Sequence, residues 1–114
     1  EWNCIAPPER RWIVRDWLPI GTVTSLYGSG GVGKTLIAQQ LPTCVAAGRA
    51  FFGLETTQAP ALVIACEDDR DELHRRQVSI CATSGVEMTK LGLLSLVPRA
   101  GRQNIFARFS YGII

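Results

Sequence analysis

Gly28-Ser29-Gly30-Gly31-Val32-Gly33-Lys34-Thr35 satisfies the pattern G-x-x-x-x-G-K-[ST] and decides how the rest of this 114-residue chain is read. Just before it, Val23-Thr24-Ser25-Leu26-Tyr27 is β-branched and apolar, which predicts a strand. Beyond it, Leu36, Ile37, Gln40, Leu41, Cys44 and Val45 recur near the helical period. They predict a helix from Gly33 to Ala47, stopped by Gly48. Glycines joining a strand to a helix let the backbone take positive φ and turn its N–H groups toward an anion. The free amides and the dipole of the helix start point the same way. Lys34 adds a point charge for the β- and γ-phosphates, and the Thr35 hydroxyl is a ligand for Mg²⁺. The pattern therefore predicts an ATP–Mg²⁺ site built from Gly28, Ser29, Gly30, Gly31, Val32, Gly33, Lys34 and Thr35.

A dinucleotide fingerprint overlaps this loop, because Gly28-x-Gly30-x-x-Gly33 also reads G-x-G-x-x-G. That alternative wants an acid about 20 residues onward, at the tip of the second strand. The first acid here is Glu55, which precedes that strand, and the fingerprint leaves Lys34 and Thr35 without a task. A nucleoside triphosphate is the better ligand.

The remaining pattern extends the fold. Pro42 falls inside the first helix and predicts a kink or an early end there. Ala61-Leu62-Val63-Ile64-Ala65-Cys66 is a continuous apolar run, as expected of a strand buried on both faces. Asp69 and Glu72 have capping-box spacing, so a helix should run from Arg70 to Cys81, supported by Asp71–Arg75 and Glu72–Arg76 one turn apart. Leu93 to Val97 is a third apolar run, closed by Pro98. The alternation predicts an α/β domain with a mostly parallel sheet flanked by helices. Residues 1–21 read as an extended Trp- and Pro-rich arm with strand character at Trp12–Val14, residues 22–98 as the nucleotide-binding core, and residues 99–114 as a tail. Trp2, Trp12 and Trp17 are expected in a core more than on a docking surface. The third strand would leave an unpaired edge, which predicts marginal stability or self-association.

Composition excludes several classes. Hydrophobic residues are 46% and charged residues 19%, a globular balance and not a disordered one. Twelve cations against ten acids leave a net charge of +2, too small to argue by itself for nucleic acid or membrane. All but Lys34 and Lys90 of those cations are Arg, which favours forked contacts to carboxylates and phosphates. No stretch has the length and apolarity of a membrane span, and the longest uncharged run, Trp17 to Gly33, is broken by Pro19. The chain opens on Glu1 with no basic-then-apolar leader, so no targeting signal is read and an excised piece is expected. Cys4, Cys44, Cys66 and Cys81 form no C-x-x-C pair and no metal spacing. Cys44, Cys66 and Cys81 lie in apolar stretches, as buried free thiols, and a reducing cytoplasm is the expected compartment.

Glu67-Asp68-Asp69 follows the second strand. In a parallel α/β sheet that end opens on the ligand crevice, so Glu67 is the candidate to orient or deprotonate the attacking water. With Lys34 it makes up the candidate catalytic set. Asp69 is read as a helix cap, His74 as a solvated helix position, and Arg70, Arg75 and Arg76 as a charged helix face.

Taken together, the run from Trp12 through Pro19 to Val23, the loop Leu26–Thr35, the acids Glu67-Asp68-Asp69 and the trio His74-Arg75-Arg76 resemble RecA-fold ATPases of the plasmid RepA hexameric-helicase type. The resemblance spans roughly residues 10–100. It implies a partial RecA-like P-loop NTPase fold and an ATP- and Mg²⁺-dependent motor of phage or plasmid replication, assembling as a ring on single-stranded DNA. By position it makes Lys34 and Thr35 the phosphate and metal residues and Glu67 the catalytic glutamate. The family also carries a later strand ending in Asp, and no acid follows Glu87 here; its arginine finger and DNA-contacting loops are expected further on, and no motif assigns a role to Arg99, Arg102 or Arg108. The ParA/MinD-type loop needs a Lys at position 29, where this chain has Ser29. Two further readings stay open: a truncated, catalytically weak nucleotide-binding module, and an interaction module whose Trp-rich arm docks on a partner.

Overall fold

The computed structural model describes residues 2–30 and 33–99. In chain order the elements are β1 (Trp12–Val14), β2 (Leu18–Pro19), α1 (Lys34–Ala47), β3 (Ala61–Ala65), α2 (Arg70–Ser84) and β4 (Leu94–Pro98), with single 3₁₀ turns at Trp2–Cys4 and Met88–Lys90. β3 and β4 pair in parallel from Ala61↔Leu94 to Ala65↔Pro98, with α2 as their crossover. α1 and α2 pack against this sheet and against each other, giving a small α/β unit.

Local chemistry accounts for both helices. The Asp69 carboxylate accepts the Glu72 N–H at 2.8 Å and starts α2, while Glu72 turns to Arg75 at 3.0 Å and Arg76 at 3.8 Å. At their far ends, Gly48 and Gly85 take left-handed φ values of 68° and 69°, which stops each helix and returns an amide to its last turn. α1 runs through Pro42 to Ala47, so the expected early end does not occur. A proline in a helix costs about 3 kcal/mol. Beyond it Thr43, Cys44, Val45 and Ala46 are all buried, and that packing outweighs the lost bond.

Three expectations about the sheet are corrected. Val23–Tyr27 forms no strand, and Val23 is 97% exposed. An extended segment becomes a strand only when a neighbour accepts its backbone bonds, and no described segment pairs with it. The parallel sheet therefore has two strands where three were expected. β3 is not buried on both faces, since Leu62 is 62% exposed and Ile64 37%. Both helices lie on one side of the sheet, so among the described residues nothing covers the other side.

The arm is partly built into the core. β1 pairs antiparallel with β2 and bridges Thr56 through Val14, which is fully buried with Cys44, Val45 and Phe51. Phe51 and Leu54 exchange two 2.9 Å backbone bonds around Phe52 and Gly53, both at positive φ, a tight hairpin turn that delivers Phe51 to this cluster. Trp17 stacks on Phe51 at 5.6 Å. The tryptophans themselves are not core residues: Trp2 is 94% exposed, Trp17 is exposed and Trp12 is half-buried. Phe51 is the aromatic ring that reaches the centre, beside Val14, Cys44 and Val45, and the larger indoles lie at its rim. All four cysteines are free, with Cys44 and Cys81 buried. Cys66 is exposed, contrary to expectation, because it lies just past the end of β3, where the chain turns outward. Among the described residues no helix is long and apolar enough to cross a membrane. Of the tail, residues 100–114, including Arg102 and Arg108, lie outside the described residues.

Candidate functional site

α1 begins at Lys34 behind Gly33, whose φ of 89° is left-handed. Such a backbone needs glycine, and no side chain caps the helix start. Gly28, Ser29 and Gly30 are exposed; Gly31 and Val32 of the predicted loop lie outside the described residues. Among the described residues no internal hydrogen bond occupies the amides of Ser29, Gly30 or Gly33. The Lys34 ammonium reaches back and donates to the Gly28 carbonyl, lying across the glycine loop.

A pocket of about 360 Å³ opens beside this helix start. Lys34 and Thr35 from α1 line it together with Glu67 and Asp68 from the end of β3, so the structure brings Lys34, Thr35 and Glu67 to one cavity, while Gly28, Ser29, Gly30 and Gly33 are not among its lining residues. The exposed Glu67 carboxylate and the exposed Thr35 hydroxyl both remain open to solvent. Leu26, just ahead of the loop, contributes an apolar wall with Val63.

Two further polar side chains on the pocket wall, Arg76 and Gln39, were not legible as site residues. Arg76 donates to Asp68 at 3.0 and 3.4 Å and to the Gln39 side-chain oxygen at 3.1 Å. Gln39, only 2% exposed, passes its own N–H groups to the Leu73 carbonyl at 3.1 Å and to Gln77 at 2.9 Å. Gln77 in turn donates to Thr43 at 3.1 Å, and Thr43 donates to the Gln39 carbonyl at 2.8 Å. This chain of bonds ties α1 to α2 behind the pocket. Arg76 is thus not part of a solvated helix face, as expected, whereas Arg70, His74 and Arg75 are exposed. The apolar period of α1 pointed to Leu36 and Gln40, and it gave no sign that Gln39 faces inward.

The donor set suits a nucleoside triphosphate with Mg²⁺. A single ammonium, an uncapped helix start with open glycine amides, a hydroxyl in the first helical turn and a carboxylate on the facing wall are the groups that phosphate oxygens and a hard cation require. The formal charges of Lys34 and Arg76 are matched by those of Glu67 and Asp68, so the cavity is close to neutral. Among the described residues no cluster of carboxylates, imidazoles or thiols could hold a metal by itself. Mg²⁺ commonly takes one or two protein ligands and completes its shell with phosphates and water.

A small parallel sheet with two helices, and a glycine loop leading into the first of them, fits part of a P-loop NTPase-like fold. The chain belongs to the AAA domain family, which it matches over residues 2–109. Membership carries a nucleotide-binding, ATPase-type function. Comparisons with curated proteins and with solved structures returned no match.

Proposed function

We propose that this chain binds ATP–Mg²⁺ through Gly28–Thr35 as the N-terminal part of a RecA-like replication ATPase of the RepA helicase type, a ring-forming motor on single-stranded DNA. The observation that carries the nucleotide reading is the shared pocket, with Lys34 and Thr35 on one wall and Glu67 on the other. Lys34 exchanges the Gly28 carbonyl for β- and γ-phosphate oxygens, which are stronger acceptors because they are charged. The Thr35 hydroxyl holds the cation. When bound, Mg²⁺ neutralises phosphate charge as it develops. Glu67 orients the attacking water and accepts its proton. The helicase, ring and DNA elements of the proposal come from the resemblance in the upstream Trp12–Val23 segment and the acidic start of α2.

One observation favours a second reading, a nucleotide binder with little turnover. Asp68, the other carboxylate in the pocket, has both oxygens committed to Arg76 and so is not free to complete a metal site. Fluorescent ATP-analogue binding and phosphate release, both measured against protein concentration, separate the two. Release that rises steeply with concentration supports the ring-forming ATPase, and binding without release supports the binder. Absence of analogue binding by the wild-type chain would remove both.

A further inference from the structure

On the arm side of the molecule lies a larger cleft, of about 600 Å³, that shares no residue with the Lys34 pocket. Arg10, Arg11 and Arg15 line it, with the half-buried Trp12 and a single acid, Glu55. Three guanidinium groups against one carboxylate give it a surplus of two positive charges, equal to the net charge of the whole chain. Asp16 draws on Arg15 only at 3.9 Å, with both side chains largely in water, so it neutralises little.

The backbone beneath these side chains is fixed. Arg15 N–H donates to the Glu55 carbonyl at 2.8 Å, Thr57 N–H to Ile13 at 2.8 Å, and the Thr57 hydroxyl to the Trp12 carbonyl at 2.7 Å. Ile20 N–H closes the other side on the Arg11 carbonyl at 3.0 Å. The cleft is therefore a preformed groove between the β1–β2 hairpin and the 48–57 segment, with its arginine side chains exposed. Arg10 already lies over the Trp12 ring, 5.7 Å from its centre. A guanidinium and an indole in that arrangement present flat π-faces beside forked phosphate donors.

We propose that this groove binds single-stranded nucleic acid, with Arg10, Arg11 and Arg15 on the phosphates and Trp12 with Arg10 as a stacking platform for a base. Sequence-tolerant recognition of single strands needs that pairing of positive charge with planar groups. The proposal rests on the single-stranded-DNA element of the reading above and adds a contact on the arm, separate from the nucleotide site and from the DNA-contacting loops that the resemblance expects further on.

The test is fluorescence anisotropy of a labelled oligo(dT) strand with the full chain, between about 50 and 200 mM salt. Wild type should bind, and Arg10→Gln/Arg11→Gln should weaken binding roughly tenfold and flatten the salt slope by about 1.4, at about 0.7 per lost phosphate contact. Arg70→Gln/Arg75→Gln removes the same charge from exposed positions on α2 and should change the dissociation constant less than twofold. Equal losses in the two double variants would reduce the effect to net charge and overturn the proposal. Displacement of the strand by poly-glutamate at matched charge would overturn it too, marking a site for acidic protein. Should the double variant fail to fold by circular dichroism, Arg10→Gln alone decides, and an unchanged dissociation constant in it rejects the site. Binding by wild type that ignores the Arg10 and Arg11 changes leaves DNA as partner and removes only this groove. No binding at about 50 mM salt removes both, while ATP-analogue binding, which depends on Lys34 in the other pocket, is scored separately.

Discussion

Asp68 and Arg76, eight residues apart, form a two-bond ion pair at 3.0 and 3.4 Å with less than a fifth of either side chain exposed. The pair joins the end of β3 to the second turn of α2, and through Gln39 it reaches α1. Removing one partner of a shielded pair leaves the other charge without compensation, which costs more than the pair contributes when intact. Arg76→Met should therefore destabilise the fold by about 2–4 kcal/mol in urea unfolding. Arg76→Lys should recover only part of this, since one ammonium cannot hold Asp68 and Gln39 in the same fork.

Deeper in the same network, Thr43 and Gln77 are buried and bonded to each other. Thr43→Val keeps the shape but leaves the Gln77 amide and the Gln39 carbonyl without their hydroxyl partner, at a cost of about 1–3 kcal/mol. Chemical denaturation measures the loss, and affinity for an ATP analogue should stay within twofold, because Thr43 does not line the pocket.

Lys34→Ala should abolish binding of a fluorescent ATP analogue, since it removes the ammonium now resting on Gly28. The circular dichroism spectrum should not change. Tight binding by this variant would refute the role given to Lys34. Glu67→Gln should keep binding and, in the ring-forming protein, stop phosphate release. Turnover equal to wild type would leave Glu67 with no task beyond the helix start.

Burial pushes the Cys44 thiol above its ordinary value of 9.0, with the Ser84 hydroxyl acting the other way. A raised folded value means that the neutral thiol contributes its full stability below the unfolded value. That contribution is lost as pH rises past 9.0 toward the folded value. Unfolding midpoints should fall across this alkaline window, and less steeply in Cys44→Ala. In the same state a thiol reagent should label Cys4 and Cys66 rapidly, with Cys44 and Cys81 reacting only after unfolding.

Much of the local structure was legible because it is set by residues close in the chain. Asp69 caps α2 through an amide three positions on, Gly48 and Gly85 end the helices by their own backbone freedom, and the apolar run at 61–65 marks a strand wherever it is placed. The placement of Lys34 at the start of α1 and of Glu67 just past β3 was legible for the same reason, since each follows from an adjacent element. Val23–Tyr27 has the composition of a strand and still is not one, because a strand needs a partner that no described segment supplies.

Sequence by itself determined the helices, the parallel α/β class and the loop chemistry that makes nucleotide binding the expected activity. Tertiary structure alone decided that both helices cover one side of β3 and β4, that Gln39 turns inward to receive Arg76, and that three arginines line one cleft with Trp12. The division has a physical cause. Caps, turns and periodicity act within about four residues along the chain, whereas burial, ion pairing and charge clustering depend on which distant segments meet.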